Sequence, residues 1–259
     1  MSDPVRPAPA SLVGLIAGGT LDAELAALLW LLVEDGVPLI VTGEAEAAVR
    51  AAIASAVLDI APERPWVVLD ADRERPDAET LGATLRGGVT PALILRAPSL
   101  KDAMERLTAP PAGLPEDAVR RLGAVLVVDA PEGAVPRIAA AHYLRPIERD
   151  AQGHVQRRPP AVLATWDLRA DAFEHFAWAI TPELADRVDR SQADLEERQA
   201  ARATSLARLA ATAPDAEPAR LRATIAALLA SEPPREHAPV HPTARPSGLH
   251  SPLTDPHVH

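Results

Sequence analysis

Residues 43–50 have the spacing of a phosphate-binding turn between a strand and a helix. In the pattern G-x-x-x-x-G-K-[ST], backbone amides and the lysine hold the phosphates, and the hydroxyl holds magnesium. Gly43 supplies the first glycine, whereas Ala48, Val49 and Arg50 stand where the second Gly, the Lys and the Ser/Thr belong. Because Lys101 is the only lysine in the chain, no neighbouring register restores the missing cation.

Two carboxylates, Glu44 and Glu46, fall in this turn and the first turn of the following helix. A helix N-terminus favours negative charge, so these side chains are expected to take the place of a phosphate. At an effective dielectric constant of ~20, each carboxylate ~5 Å from a phosphate charge costs about 3 kcal/mol before salt screening. Arg50 either imitates the missing lysine or pairs with Glu46 along the helix.

Acidic residues also follow the next predicted strand, Trp66–Asp70. Asp70, Asp72 and Glu74 are either oxygen ligands for magnesium, which normally needs a phosphate as well, or the solvated end of a buried strand. We expect no catalytic residue and no metal centre. A residual nucleotide site is the alternative to a structural turn, and it would comprise Gly43, Glu44, Val49, Arg50 and Asp70.

Composition excludes several classes of protein. The chain has no cysteine, which excludes disulfide scaffolds, thiolate metal sites and cysteine nucleophiles. A net charge of −10 argues against general binding to nucleic acid. The N-terminal residues lack a signal pattern, and the longest apolar run, around residues 26–33, is too short for a membrane span. We therefore expect a cytoplasmic protein.

Hydrophobic periodicity predicts an α/β domain around the turn. Leucines at spacings of three and four predict a core-facing helix that is capped by Thr20 and ends before Gly36. Short apolar runs predict buried strands at 39–41, 66–70, 92–95 and 124–128, and Ser99 begins a further helix with a capping box. Strands that alternate with helices indicate a mostly parallel sheet covered by helices on both faces.

The chain changes character after residue 129. Segments 136–149 and 154–165 are predicted to form a hairpin or a pair of edge strands, with Pro159 and Pro160 keeping the second strand at an edge. A charged helical run at 181–213 is either a partner-binding arm or a solvated helix on a narrow apolar stripe. The expected organisation is a flexible arm (1–10), an α/β domain (11–178), a C-terminal helical extension (179–231) and a disordered tail (232–259).

The order of these segments resembles type II/IV secretion-system ATPases, most closely the archaeal and tight-adherence pilus branch. The helix from Gly19 to Gly36, followed by an apolar strand and Gly43, is similar to the family's approach to its phosphate-binding loop. Residues 60–70 resemble the family's next strand, and 95–107 resemble its H-A-x-S-x-E-x-A-x-x-R-L segment. The likeness covers residues 12–210 in the family's order.

The resemblance implies a RecA-like P-loop fold with C-terminal antiparallel strands. This chain departs from the family's pattern at the positions of the family's functional residues. Val49 and Arg50 replace the Lys and Ser/Thr, and Arg96 replaces the family's histidine. The Walker B segment with its catalytic glutamate is missing between Glu74 and Gly87. Because phosphoryl transfer depends on positioning and charge neutralisation, these losses together predict that hydrolysis is abolished.

The resemblance thus implies a catalytically inactive relative that acts as an assembly or regulatory subunit through protein contacts. Its implied partners are an active ATPase paralogue or a second copy of itself, within membrane-associated secretion or pilus machinery, with no nucleic acid and no cofactor. Its implied location is cytoplasmic, including the inner face of the membrane. The alternative is a divergent ATPase or nucleotide sensor that still binds ATP with magnesium.

Overall fold

The computed structural model describes residues 11–237 apart from 62–63, 75–76, 78, 81–82, 85–86, 111, 132–133 and 150–153. The first part contains α1 (Leu12–Ala17), α2 (Ala23–Glu34), β1 (Leu39–Gly43), α3 (Ala47–Leu58), β2 (Trp66–Asp70), β3 (Thr90–Ile94), α4 (Leu100–Thr108), α5 (Glu116–Arg120) and β4 (Ala124–Asp129). The second contains β5 (Arg137–Tyr143), β6 (Glu148–Arg149), β7 (Val155–Gln156), β8 (Ala161–Asp167), β9 (Ala172–His175), a 3₁₀ turn (Ala177–Ile180), α6 (Thr181–Arg187), α7 (Gln192–Thr212) and α8 (Pro218–Ser231). The predicted arm and residues 238–259 of the predicted tail lie outside the described residues.

Seven strands form one mixed sheet in the order β2-β3-β1-β4-β5-β8-β9. The first four strands are parallel, and β5, β8 and β9 each run antiparallel to the preceding strand in the sheet. The α/β class and the C-terminal antiparallel strands are therefore confirmed. Because β1 to β4 are all parallel, their carboxyl ends and the turns that follow them lie at one edge of the sheet.

Helices cover both faces of the parallel half, as expected. Alternate residues of β1 face opposite sides, so Leu39 and Val41 join the larger core with α1, α2, α3, α6 and α7. Ile40 joins a smaller core with α4 and α5 on the other face. No helix in the described part of the chain combines the length and apolar character that crossing a membrane requires.

The cap of α2 differs from the predicted one. Asp22, not Thr20, is the N-cap, and its Oδ1 accepts a hydrogen bond from the Leu25 amide at 2.9 Å. Thr20 is buried, and its carbonyl accepts from the Ile138 amide at 2.8 Å, so it anchors the start of β5 instead. The predicted cap of α4 is confirmed, since the Ser99 hydroxyl accepts from the Asp102 amide.

The predicted edge position of the second hairpin strand is wrong. The prolines at 159 and 160 precede β8, which begins at Ala161 and pairs with β5 on one side and β9 on the other. Since both prolines lie outside the ladder, their missing amide donors do not restrict the position of the strand. The shorter strand β9 occupies the edge.

The C-terminal helices share the core of the sheet. Asp189, with φ of +48°, separates α6 from α7, where the sequence predicted a single run. Leu195 and Leu206 of α7 are buried in the larger core beside α2. Residues 232–237, assigned to the tail, lie against α7, and the Ser191 amide donates to the Glu236 carbonyl at 2.7 Å. Neither residue 179 nor residue 232 therefore marks a break in packing.

Candidate functional site

The glycine of the turn is required by strand packing. Gly43 ends β1 opposite Val128 of β4, and its φ is +124°. A Cβ at this position would lie 1.9 Å from the Val128 carbonyl oxygen, which no side chain can accommodate. The close approach of two parallel strands thus explains this glycine without any bound phosphate.

Arg50 fills the interior of the turn. Only 2% of the residue is exposed, and its Nη1 donates to the carbonyl oxygens of Gly43, at 3.3 Å, and Ala45. Its Nη2 lies 3.5 Å from the Asp72 carboxylate. A phosphate-binding loop points amide hydrogens at an anion, whereas this turn points carbonyl oxygens at a cation. The electrostatic character of the site is therefore the reverse of a phosphate site.

The alternative pairing of Arg50 with Glu46 does not form. Glu46 is the N-cap residue of α3, and its side chain makes no capping hydrogen bond. Burial lowers the pKa of Arg50, while the charges of Asp72 and Asp70 oppose that shift. The neighbouring carboxylates thus offset only part of the cost of removing the guanidinium from water.

Asp72 joins three elements at this edge of the sheet. Its Oδ2 accepts from the Arg96 amide at 2.6 Å, and its Oδ1 accepts from Arg106 Nη2 of α4 at 2.7 Å. Arg106 also donates to the Arg96 carbonyl. The carboxylate therefore ties the turn after β2 to the loop after β3 and to α4, and it is not a free metal ligand.

Glu44 is paired rather than isolated. Arg96 donates from Nε and Nη2 to Glu44 Oε2 at 3.0 and 2.7 Å. Both side chains are at least half exposed, so the pair itself contributes little to stability. Because Arg96 neutralises Glu44, the repulsion of a phosphate is smaller than the value expected for a bare carboxylate.

The remaining predicted site residues have local structural roles. Asp70 Oδ1 accepts from the amides of Asp72, at 3.0 Å, and Arg73, at 3.2 Å, and so caps the turn after β2. Val49 is half-buried and packs against the larger core. The fold thus brings Gly43, Arg50 and Asp72 together, whereas Val49 belongs to the core. The described residues contain no group of three side chains arranged to hold a metal ion.

A groove of about 330 Å³ lies beside this arginine–carboxylate cluster. Its lining includes Asp72, Leu95, Arg106 and Pro110. Sequence reasoning missed Arg106, because its contact with Asp72 depends on how α4 packs over the turn after β2. Its position in the last turn of α4 would have predicted only a favourable interaction with the helix dipole.

A second charged cluster connects α2, α7 and the segment after α8. Arg202 is fully buried and donates to Glu34 at 2.8 Å and to Glu232 at 2.7 Å, while its guanidinium stacks 4.3 Å from the Trp30 ring. Asp194 accepts from two further buried arginines, Arg190 and Arg198, at 2.8 Å each. Burial raises the pKa of Glu232, but Arg202 outweighs this effect and lowers it overall.

This second cluster shows that α7 is not simply a solvated helix on a narrow stripe. Arg198 and Arg202 of α7, and Arg190 just before it, are buried, and each guanidinium has a carboxylate partner, whereas Arg208 is exposed. The alternating charges thus attach α7 to α2.

No protein-family model matches the chain, and no curated protein matches it significantly. Membership of the secretion ATPase family is therefore a proposal that depends on the residues and the geometry.

Proposed function

We propose that the protein is a catalytically inactive relative of secretion or pilus-assembly ATPases and acts as an assembly or regulatory subunit through protein contacts. The observation that carries this proposal is the position of Arg50. Its guanidinium occupies the turn after β1, where a P-loop ATPase would hold phosphates. The proposal includes a RecA-like ancestry for the sheet.

Removing Arg50 from the turn would be costly. The carbonyls of Gly43 and Ala45 would lose their hydrogen-bond donor, and the Asp72 carboxylate would lose its ion pair with Arg50. A buried polar group that loses its partner costs about 1–3 kcal/mol, and a charged one costs more. Nucleotide binding would have to supply this energy before it gained any affinity.

The sheet is compatible with the proposed ancestry. β1 is flanked by parallel strands on both sides, and the turn after it leads directly into α3 at the carboxyl edge. This is the position at which open α/β sheets bind ligands. This arrangement supports the proposal that the chain keeps the scaffold of a nucleotide site and has replaced the groups that would bind phosphate.

The proposed partners are an active ATPase paralogue or a second copy of this chain. A subunit of this kind would work in the cytoplasm or at the inner face of the membrane, where secretion and pilus machinery is assembled. Protein contacts are favoured over nucleic-acid contacts, because the chain carries a net charge of −10.

Calorimetric titration with Mg·ATP tests the proposal. We expect no binding heat at millimolar nucleotide and no phosphate release. ATP hydrolysis that is abolished by Arg50→Ala or Asp70→Asn, but retained by Arg73→Ala, would overturn it. Arg73 is a suitable control because it is an exposed arginine that lies three residues after Asp70, at the same edge of the sheet.

One observation favours a nucleotide sensor as the second candidate. Arg106 lines the groove beside Asp72, Arg96 donates its amide to the same carboxylate, and their side chains are 53% and 65% exposed, respectively. Exchange of their carboxylate partners for phosphate oxygens would create a site outside the turn. In this case Mg·ATP binds without turnover, and Arg106→Ala, but not Arg73→Ala, weakens the binding.

A further inference from the structure

A cleft of about 360 Å³ lies between α7 and the 3₁₀ turn, on the opposite side of the sheet from α4. Four residues of α7 line it: Glu196, Gln199, Ala200 and Ala203. Their spacing of three, four and seven residues places them on one face of the helix. The two alanines leave the space that longer side chains would fill.

Trp178 forms an aromatic wall of this cleft. The residue is 74% exposed, yet its indole Nε1 donates to the His175 carbonyl at 3.1 Å. This hydrogen bond restricts the orientation of the ring, while most of the residue's surface meets water. An exposed indole of restricted orientation is an effective binding surface, because it loses less side-chain entropy when a partner binds.

The charge around the cleft is negative. Glu24 of α2 and Glu196 of α7 line it, and none of its described lining residues is lysine or arginine. His175, also in the lining, lies 2.7 Å from Asp22 and 3.7 Å from Glu24, so its own charge is compensated. The Glu196 carboxylate accepts a hydrogen bond from the neutral side-chain amide of Gln192 at 2.9 Å.

We propose that this cleft binds an arginine side chain on an exposed segment of a partner protein. A guanidinium stacks on an indole face and donates to carboxylates at the same time, which lysine does less well. The overall negative charge of the chain favours the approach of a basic segment. The inference rests on the proposed role in protein contacts and gives the chemistry of one such contact.

Titration with short peptides tests this assignment. The probes are three acetylated, amidated tetrapeptides of sequence Gly-X-X-Gly, in which X is arginine, lysine or citrulline, the neutral analogue of arginine. The readouts are the indole N–H resonance of Trp178 and calorimetry at two salt concentrations. We expect the arginine peptide to bind most tightly, the lysine peptide more weakly and the citrulline peptide not at all, with affinity falling as salt rises.

Two variants and one control locate the binding. Trp178→Ala is expected to weaken arginine-peptide binding about fivefold or more, and Glu196→Gln about threefold. Glu105→Gln removes the same charge from an exposed position of α4, on the other face of the sheet, and should bind as the wild type does. Thermal unfolding confirms that each variant is folded.

Equal binding of the arginine and citrulline peptides, no binding of any peptide at millimolar concentration, or wild-type affinity in Trp178→Ala would overturn the proposal. A dimer that is lost in Trp178→Ala, without peptide binding, would assign the cleft to a second copy and also overturn it. The nucleotide titration probes Arg50 and Asp70 instead, so a failure of either proposal is recognised separately.

Discussion

At the scale of single residues, three positions around the degenerate phosphate-binding turn have structural roles. Gly43 permits β1 and β4 to approach, Arg50 satisfies the carbonyls of the turn, and Asp72 joins the loops. A glycine in a motif is therefore ambiguous until its neighbours are known. Sequence spacing located this turn. Whether the turn suits an anion or a cation depended on the direction of the Arg50 side chain.

Replacement of Gly43 by alanine tests the packing role. We expect Gly43→Ala to lower the free energy of unfolding by ~3 kcal/mol or more, because the new Cβ overlaps the Val128 carbonyl. Gly88→Ala is the control, since Gly88 also has positive φ, +73°, but no heavy atom within 4 Å of the added Cβ. Gly88→Ala should lower the free energy of unfolding by about 1 kcal/mol. Urea unfolding measures both, and equal losses would contradict the steric explanation.

His175 is expected to stabilise the fold most below neutral pH. Burial lowers the pKa of its ring, but the hydrogen bond and charge of Asp22 outweigh this effect and raise the pKa overall. A raised folded-state pKa means that the stabilisation is fully present below about pH 6.5 and is lost as pH rises through the folded value. The stability difference between wild type and His175→Gln should therefore be larger at pH 5.5 than at pH 8.5.

His142 provides a control of opposite sign. Burial alone lowers its pKa, so the folded state opposes protonation and loses stability as pH falls below about 6.5. The stability of wild type relative to His142→Gln should therefore fall between pH 8.5 and pH 5.5. Urea midpoints at the two pH values give both comparisons, and the same trend in both variants would refute the assignments.

At the scale of elements, the charged cluster attaches α7 and the segment after α8 to α2. Glu232 bonds to both Arg198 and Arg202, which are almost entirely buried. The sequence predicted a charged helical run at 181–213 within a helical extension, but it assigned Glu232 to a tail because the chain becomes rich in proline there. Local composition could not reveal this partner, since Glu232 lies 30 residues from Arg202 in the chain.

Two truncations test the contribution of this segment. A chain that ends at Ser231 should lose about 3 kcal/mol of unfolding free energy, because two buried guanidinium groups lose a carboxylate. A chain that ends at His237 keeps Glu232 and should match the full chain within about 0.5 kcal/mol. Chemical denaturation compares the full chain with the two truncated chains. A full-length Glu232→Gln variant should also have a lower free energy of unfolding than the wild type. Equal stability of the two truncated chains would contradict the proposed role of Glu232.

At the scale of the whole molecule, the parallel sheet and the C-terminal helices share one hydrophobic core. The larger core contains residues from α2, β1, β5 and α7 together. The sequence placed a boundary at residue 179 because hydrophobic strands give way to charged helices there. Packing continues across that boundary, since Trp30 of α2 lies beneath Arg202 of α7.

Cooperative unfolding follows from this shared core. We expect a single thermal transition, with tryptophan fluorescence and far-ultraviolet circular dichroism giving the same midpoint. Fluorescence reports on Trp30 between α2 and α7 as well as on the tryptophans in the sheet, while circular dichroism is dominated by the helices. A separate, earlier loss of helical signal would show that the C-terminal helices form an independent domain.

The sequence alone determined where the apolar strands and helices lie, although β2, which it predicted to be buried, is half-buried at an edge of the sheet. Apolar runs and helical spacing identified the four parallel strands and most helices, because burial of apolar surface is encoded in local periodicity. Side-chain direction and long-range pairing depended on the tertiary structure. Arg50 could contact a phosphate or a carbonyl from the same position, and only the placement of β4, α4 and Asp72 decided between them. The charged helix likewise became a core element only when α2 and Glu232 supplied carboxylates for its arginines.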